Sequence, residues 1–296
     1  MRFVYVLGIC AFAIVGSPTG AQEIDWKKVD ETIGRSAAVV SGDVHRYAFP
    51  RADLNVTLDG ITIRPALALG GWTAFKPVHG SAMIMGDLVL LETEINPVMS
   101  KLIENGGEIT AVHNHLLRGN PETFYMHVGG HGDPVKLATA IHTALAASKT
   151  PLAPPTPPAT QPTIDLDIAQ LDQIMGVKGQ ANGGVYQFGV PRRDPISENG
   201  IQMSPAGPLG LATGIGFQPT GGSKAAITGD FVLAAEEVNP VIQTLRANGI
   251  EVTALHSHML MEQPRLFFMH FWANDDALKL ARGLRAALDK TASAKS

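Results

Sequence analysis

The chain has 296 residues, 45% hydrophobic and 17% charged, with a formal net charge of -4 and a pI near 6.2. That composition is globular, neither disordered nor membrane-like, and the length allows two domains of ordinary size. Without a basic stripe, nucleic acid is not expected as a partner.

The first segment reads as a secretory signal peptide over residues 1–21. Arg2 is followed by the apolar run FVYVLGICAFAIV, and Thr19 and Ala21 supply small residues before a cut near Ala21. The run is shorter than the roughly 20 apolar residues a spanning helix needs, so no stable membrane insertion is expected. The mature protein would be periplasmic or secreted. Cys10, the only cysteine, lies inside this segment behind the bulky Ile9, a poor context for a lipid anchor. Once it is removed, the chain has no disulfide or thiolate chemistry, and any metal must be held by nitrogen and oxygen.

An amphipathic helix is expected over 26–33. Short strands follow around 44–49, 56–58, 61–64, 82–85 and 88–94, with Asp59-Gly60 as a hairpin turn. Gly86-Asp87 reads as another turn. Asn96-Pro97 looks like a helix start, with Asn96 as cap and Pro97 in the first position. Strands at 109–116 and 124–128 are followed by a helix over 133–147, capped by Asp133. These elements give an α+β unit over 22–147, a mostly antiparallel sheet with helices packed on one side.

Residues 148–165 hold six prolines and read as an extended, solvated linker. The same unit is then written again over 166–296. Pro50-Arg51-Ala52-Asp53 answers Pro191-Arg192-Arg193-Asp194, Gly86-Asp87 answers Gly229-Asp230, and Glu94-Ile95-Asn96-Pro97-Val98 answers Glu237-Val238-Asn239-Pro240-Val241. The offset stays between 140 and 143 residues, so a whole domain is duplicated in tandem.

The repeat also carries the candidate chemistry. AVHNHLLRGNPETFYMH and ALHSHMLMEQPRLFFMH both place histidines as H-x-H-x11-H: His113, His115 and His127, then His256, His258 and His270. Residues two apart on a strand share a face, so each hairpin is expected to gather three imidazoles around one point. Zinc suits such a set best, and copper, iron, nickel or manganese are the other divalent candidates. Histidines that pack or hydrogen-bond without metal are the competing reading. Glu94 and Glu237 offer a fourth ligand, against a reading as solvated strand ends or capping contacts. His131, which has no counterpart in the second copy, is a possible extra ligand or proton donor. Arg51 and Arg192 either clamp an anionic ligand from a cleft between the units or pair with Asp53 and Asp194 to fix a loop; the second reading is preferred.

The stretches PRADLNVTLDGITIRPALALGGWTAF, MGDLVLLETEINPVMSKLIENGGEITAVHNHLLRGNPETFYMHVGGHGD and LHSHMLMEQPRLFFMHFW resemble the bacterial LppY/LpqO family, a secreted family with a domain of unknown function. The resemblance spans nearly the whole mature chain and implies no activity. HNH…GGH is also similar, over about twenty residues, to the zinc pattern of PPC-type domains, with His131 completing it. There is no Ser-centred elbow, phosphate-cradling glycine loop or HExxH. The leading reading is therefore an exported divalent-metal-binding protein. A metal-dependent hydrolase or lyase on a small molecule and a metal-free interaction module are the alternatives, and the sequence leaves the oligomeric state open.

Overall fold

The structure, a computed structural model, describes residues 23–154, 160, 162–204 and 207–293. The expected signal peptide over residues 1–21 lies outside the described residues, as does part of the proline-rich stretch. The first unit runs α1 (Trp26–Ile33), β1 (Ala38–Val40), β2 (Val44–Pro50), β3 (Thr57–Leu58), β4 (Ile61–Thr62), α2 (Pro65–Ala68) and β5 (Gly70–Val78). It continues with β6 (Ser81–Leu90), α3 (Glu92–Glu104), β7 (Glu108–His113), β8 (Phe124–Gly132) and α4 (Pro134–Ala146). The second begins with α5 (Ile168–Met175), β9 (Gln180–Asn182), β10 (Val185–Pro191), β11 (Ile196–Glu198), β12 (Ile201–Met203) and β13 (Ala212–Gly221). It ends with β14 (Lys224–Leu233), α6 (Ala235–Ala247), β15 (Glu251–His256), β16 (Glu262–Gln263), β17 (Phe267–Asp276) and α7 (Ala277–Leu288).

Each unit is α+β, built on a six-stranded antiparallel sheet with helices on one face. The strand orders are β1-β2-β5-β6-β8-β7 and β9-β10-β13-β14-β17-β15, the same path traced twice. The helices start where short polar side chains satisfy free amides. Asp25, Asp133, Asp167 and Asp276 each accept from the amide three residues on, and Gly34 and Gly176 close α1 and α5 in the left-handed conformation. On the helical face of the first sheet, Phe49, Phe75, Ile84, Leu88, Met126 and Val128 share a core with Leu137, Ile141 and Leu145 of α4.

The other face of each sheet is also buried, against the opposite unit. Met83 and Met85 cluster with Leu209, Leu211, Met259 and Phe268, and Val89 and Tyr125 with Ala226 and Trp272. Central strands buried on both faces therefore read as unbroken apolar runs, Met83-Ile84-Met85 and Leu88-Val89-Leu90. Polar links tie the same interface. Gln218 accepts from the Arg64 amide at 2.9 Å and donates to the Thr62 carbonyl at 2.7 Å.

Several elements depart from expectation. β6 is one strand through Gly86-Asp87, because those residues sit mid-ladder opposite Val128 and His127. β5, not anticipated, runs through Gly70-Gly71 and Pro77. α3 starts at Glu92, five residues before Pro97, because the Glu94 carboxylate reaches back to the Leu91 amide at 2.9 Å and caps the helix there. β7 stops at His113, so His115 lies in the following bend. The stretch after α4 is anchored at its start, since Arg35 donates to the carbonyls of Pro151, Leu152 and Ala153 at 2.7–3.0 Å.

Candidate metal centre

The six repeated histidines meet in a single cluster between the units. Their rings form three cross-unit stacks: His113 on His256 at 3.6 Å, His115 on His270 at 3.6 Å, and His127 on His258 at 3.8 Å. Exchanging the units maps the first pair onto itself and interchanges the other two. The internal symmetry axis thus passes through the His113–His256 pair. This corrects the expectation of one separate trio per hairpin. The histidine-bearing faces of the two sheets point at each other, so ligand groups mix the units: His113, His127 and His256 in one, His113, His115 and His270 in another.

A carboxylate joins from each unit, and it is not the expected one. Asp87 lies opposite His127 in the β6–β8 ladder, as Asp230 lies opposite His270 in β14–β17. Asp87 Oδ2 is 3.6 Å from His115 Nε2, and Asp230 Oδ2 is 3.0 Å from His258 Nε2. Asp230, His256 and His258 make the third ligand group. Glu94 and Glu237 are instead held away from the histidines. Glu94 sits 2.7 Å from Arg51 Nη1 and also accepts from the Leu91 and Lys149 amides, and Glu237 repeats this with Arg192, Ala234 and Ala292. Burial pushes the Glu94 pKa up, but the bonds from Arg51 and the two amides outweigh it and keep the group ionised.

Arg51 is fully buried, and its guanidinium also meets Asp53 at 2.9 Å. Arg192 is matched by Asp194 in the same way. Both arginines therefore fix a loop and a helix start and do not line a cleft between the units. His131 lies apart and exposed, its Nε2 3.4 Å from Ser81 Oγ.

The strands that present the histidines also orient them. His127 Nδ1 faces the Gly86 carbonyl at 3.2 Å, and His270 Nδ1 faces the Gly229 carbonyl at 2.7 Å. A carbonyl only accepts, so each Nδ1 carries the proton and each Nε2 keeps a free lone pair. The same glycines let the neighbouring strand pack close behind them. A Cβ at Gly229 would stand 2.0 Å from the Gly214 carbonyl oxygen, and one at Gly86 would stand 2.8 Å from the Trp72 oxygen. Thr110 and Thr253 sit at bulges in β7 and β15 and donate across the interface to the carbonyls of His258 and His115, each at 2.6 Å.

Burial holds every one of the six imidazoles below its ordinary pKa, with neighbouring histidines adding to the effect for most; His270 falls to about 3. They are neutral at pH 7. Eight of their nitrogens, including both of His113 and both of His256, are buried without a well-formed hydrogen bond, as are Asp87 Oδ1 and Asp230 Oδ1. Each such atom costs about 1–3 kcal/mol in a dry interior. Burial, then the proximity of Asp230, raises the Asp87 pKa to about 8, with Arg46 partly opposing.

A cleft of about 580 Å³ opens onto His115, His270, Asp87 and Asp230. Divergence between the copies makes it. Trp72 pairs with Asp87 and Met85 with Ala74 in the first sheet; the matching register positions in the second carry Gly214 and Thr228, which line the cleft.

The model of a protein family described as Domain of Unknown Function (DUF1259) matches residues 27–147 and again 169–290. The chain belongs to this family. Both copies of the family domain contribute to the histidine cluster. No curated protein shows a significant match. Among solved structures, the trimeric bacterial microcompartment shell protein PduB is 15% identical, with 86% of this chain and 91% of that chain covered and a TM-score of 0.20. EtuB from Clostridium kluyveri is 9% identical, with 86% and 89% covered and a TM-score of 0.20. Overlaps this loose say nothing about what the chain binds. Among the described residues, no helix is long and apolar enough to cross a membrane.

Proposed function

We propose that this is an exported, divalent-metal-binding protein of LppY/LpqO type whose two units share one two-ion centre. One ion would take His113, His115, His270 and Asp87; its symmetry mate would take His256, His258, His127 and Asp230. The observation that carries the reading is the convergence of neutral, unpartnered imidazole nitrogens with two buried carboxylates. A cation offers these atoms the partners they lack. Nitrogen and carboxylate donors suit zinc first, and also copper, iron, nickel or manganese.

Elemental analysis of protein purified without a histidine tag tests this. Wild type is expected to hold about two ions per chain, and His113→Ala with His256→Ala should abolish both while circular dichroism stays native. A metal-free wild type after incubation with zinc would sink the reading.

The cleft favours a second reading, a metal-dependent hydrolase or lyase acting on a small molecule. Four protein ligands leave room for a fifth at zinc, and the volume is that of a small-ligand site. Export rests on the apolar run after Arg2 and its small-residue end, so the mature N-terminus is expected at Gln22, which N-terminal sequencing reads directly. The unit limits 22–147 and 166–296, with a linker at 148–165, belong to the same proposal.

A further inference from the structure

The two repeats have diverged most usefully around the mouth of the cleft. Arg46 pairs with Ala74 in the first sheet, and the equivalent position, paired with Gly216, is Gln187. Both line the cleft, with Lys178 at its edge. The Arg46 guanidinium lies 3.9 Å over the Trp72 ring and donates to the Pro208 carbonyl at 2.6 Å. No carboxylate among the described residues forms an ion pair with it. Burial lowers its pKa to about 10, with only Asp87 opposing. A half-buried cation without a paired anion is held at a cost, and a ligand that supplies one is favoured. Beyond it, two divalent ions held by neutral imidazoles and two carboxylates would leave the centre itself positive.

We propose that the cleft admits a small oxyanion, a carboxylate or phosphate group, which Arg46 holds against the open coordination position beside His115 and His270. This rests on the metal-centre reading. A guanidinium fork matches either group in two parallel hydrogen bonds. The opposite lobe is packed with Met83, Met85, Leu209 and Leu211 and keeps a hollow of about 70 Å³ beside His258, so among the described residues this cleft is the wider approach to the centre.

The test uses the full mature chain loaded with cobalt(II), whose visible absorption reports its coordination shell. Sodium acetate and inorganic phosphate serve as probes. One or both should shift the cobalt bands saturably, and which one binds tighter identifies the group. Arg46→Gln, the residue of the sister position, should weaken the response at least about tenfold at unchanged cobalt content. Gly214→Trp should abolish it. A Cβ at Gly214 meets nothing within 4 Å, so the new ring enters the cleft without displacing the core. Cobalt bands that ignore both anions, or variants that respond as wild type does, overturn the anion site and leave the metal centre standing. A chain that takes up no cobalt overturns both.

Discussion

His113 and His256 stack on each other across the symmetry axis, with ring nitrogens buried and without a well-formed hydrogen bond, so the loss of one ring also removes the support that positions the ligand of the other ion. His256→Ala, a change in the second unit, should therefore reduce metal content by more than a single-site share, read by elemental analysis. The pH dependence of the metal-free protein follows from the same burial. Unfolded imidazoles protonate below 6.5 while the folded ones stay neutral, His270 down to about 3. Stability is therefore lost as pH falls below 6.5. Asp87 works in the other direction: its folded pKa near 8 exceeds the ordinary 3.8, so stability falls as pH rises between them. Six imidazoles outweigh the two carboxyls below 6.5, since burial raises Asp230 as well, and above it the carboxyls act without their opposition. The thermal midpoint of the metal-free protein should peak near neutrality, with Asp87→Asn flattening its alkaline side. The repeated histidines were legible from spacing alone. Asp87 was not, because Gly-Asp usually marks a turn, and only strand pairing shows that it stands mid-ladder opposite His127.

At the scale of elements, the Arg51–Glu94 pair locks β2's end to the start of α3, and Arg192–Glu237 does so in the second unit. Glu94→Ala leaves Arg51 buried with fewer counter-charges and should cost about 3–5 kcal/mol in denaturant unfolding, with metal uptake by the folded fraction unchanged. Loss of metal at unchanged stability would restore Glu94 as a ligand. Sequence spacing found this charged set and left its role open between ligand, clamp and cap; the fold made it a cap and loop anchor. The Asn96-Pro97 start misled because a capping side chain three residues into a helix outranks a proline later in it. Thr110→Val removes one cross-unit hydrogen bond and should cost about 1–2 kcal/mol, read by the same unfolding assay.

At the scale of the whole molecule, the duplication and its α+β units were plain in the sequence, while the meeting of their sheets was not. Pairing between segments some 140 residues apart leaves no local period; its trace is the apolar run that buries a strand on both faces. Two apolar clusters and the histidine centre lie on that interface, so the units should unfold together in one calorimetric transition when metal is present. Chelation should lower the midpoint and broaden it. Zinc at about 100 times its dissociation constant should return about 2.7 kcal/mol for each site.

The axis through His113 and His256 has a consequence for how such a centre is assembled. A chain bearing one copy could complete it only by finding its twin, at a rate and yield set by its abundance. Joining the copies through residues 148–165 turns that encounter into an intramolecular event with a fixed effective concentration. It also frees each half to vary separately, and a cleft lined by Arg46 from one copy and Gln187 from the other is a combination that identical partners could never offer.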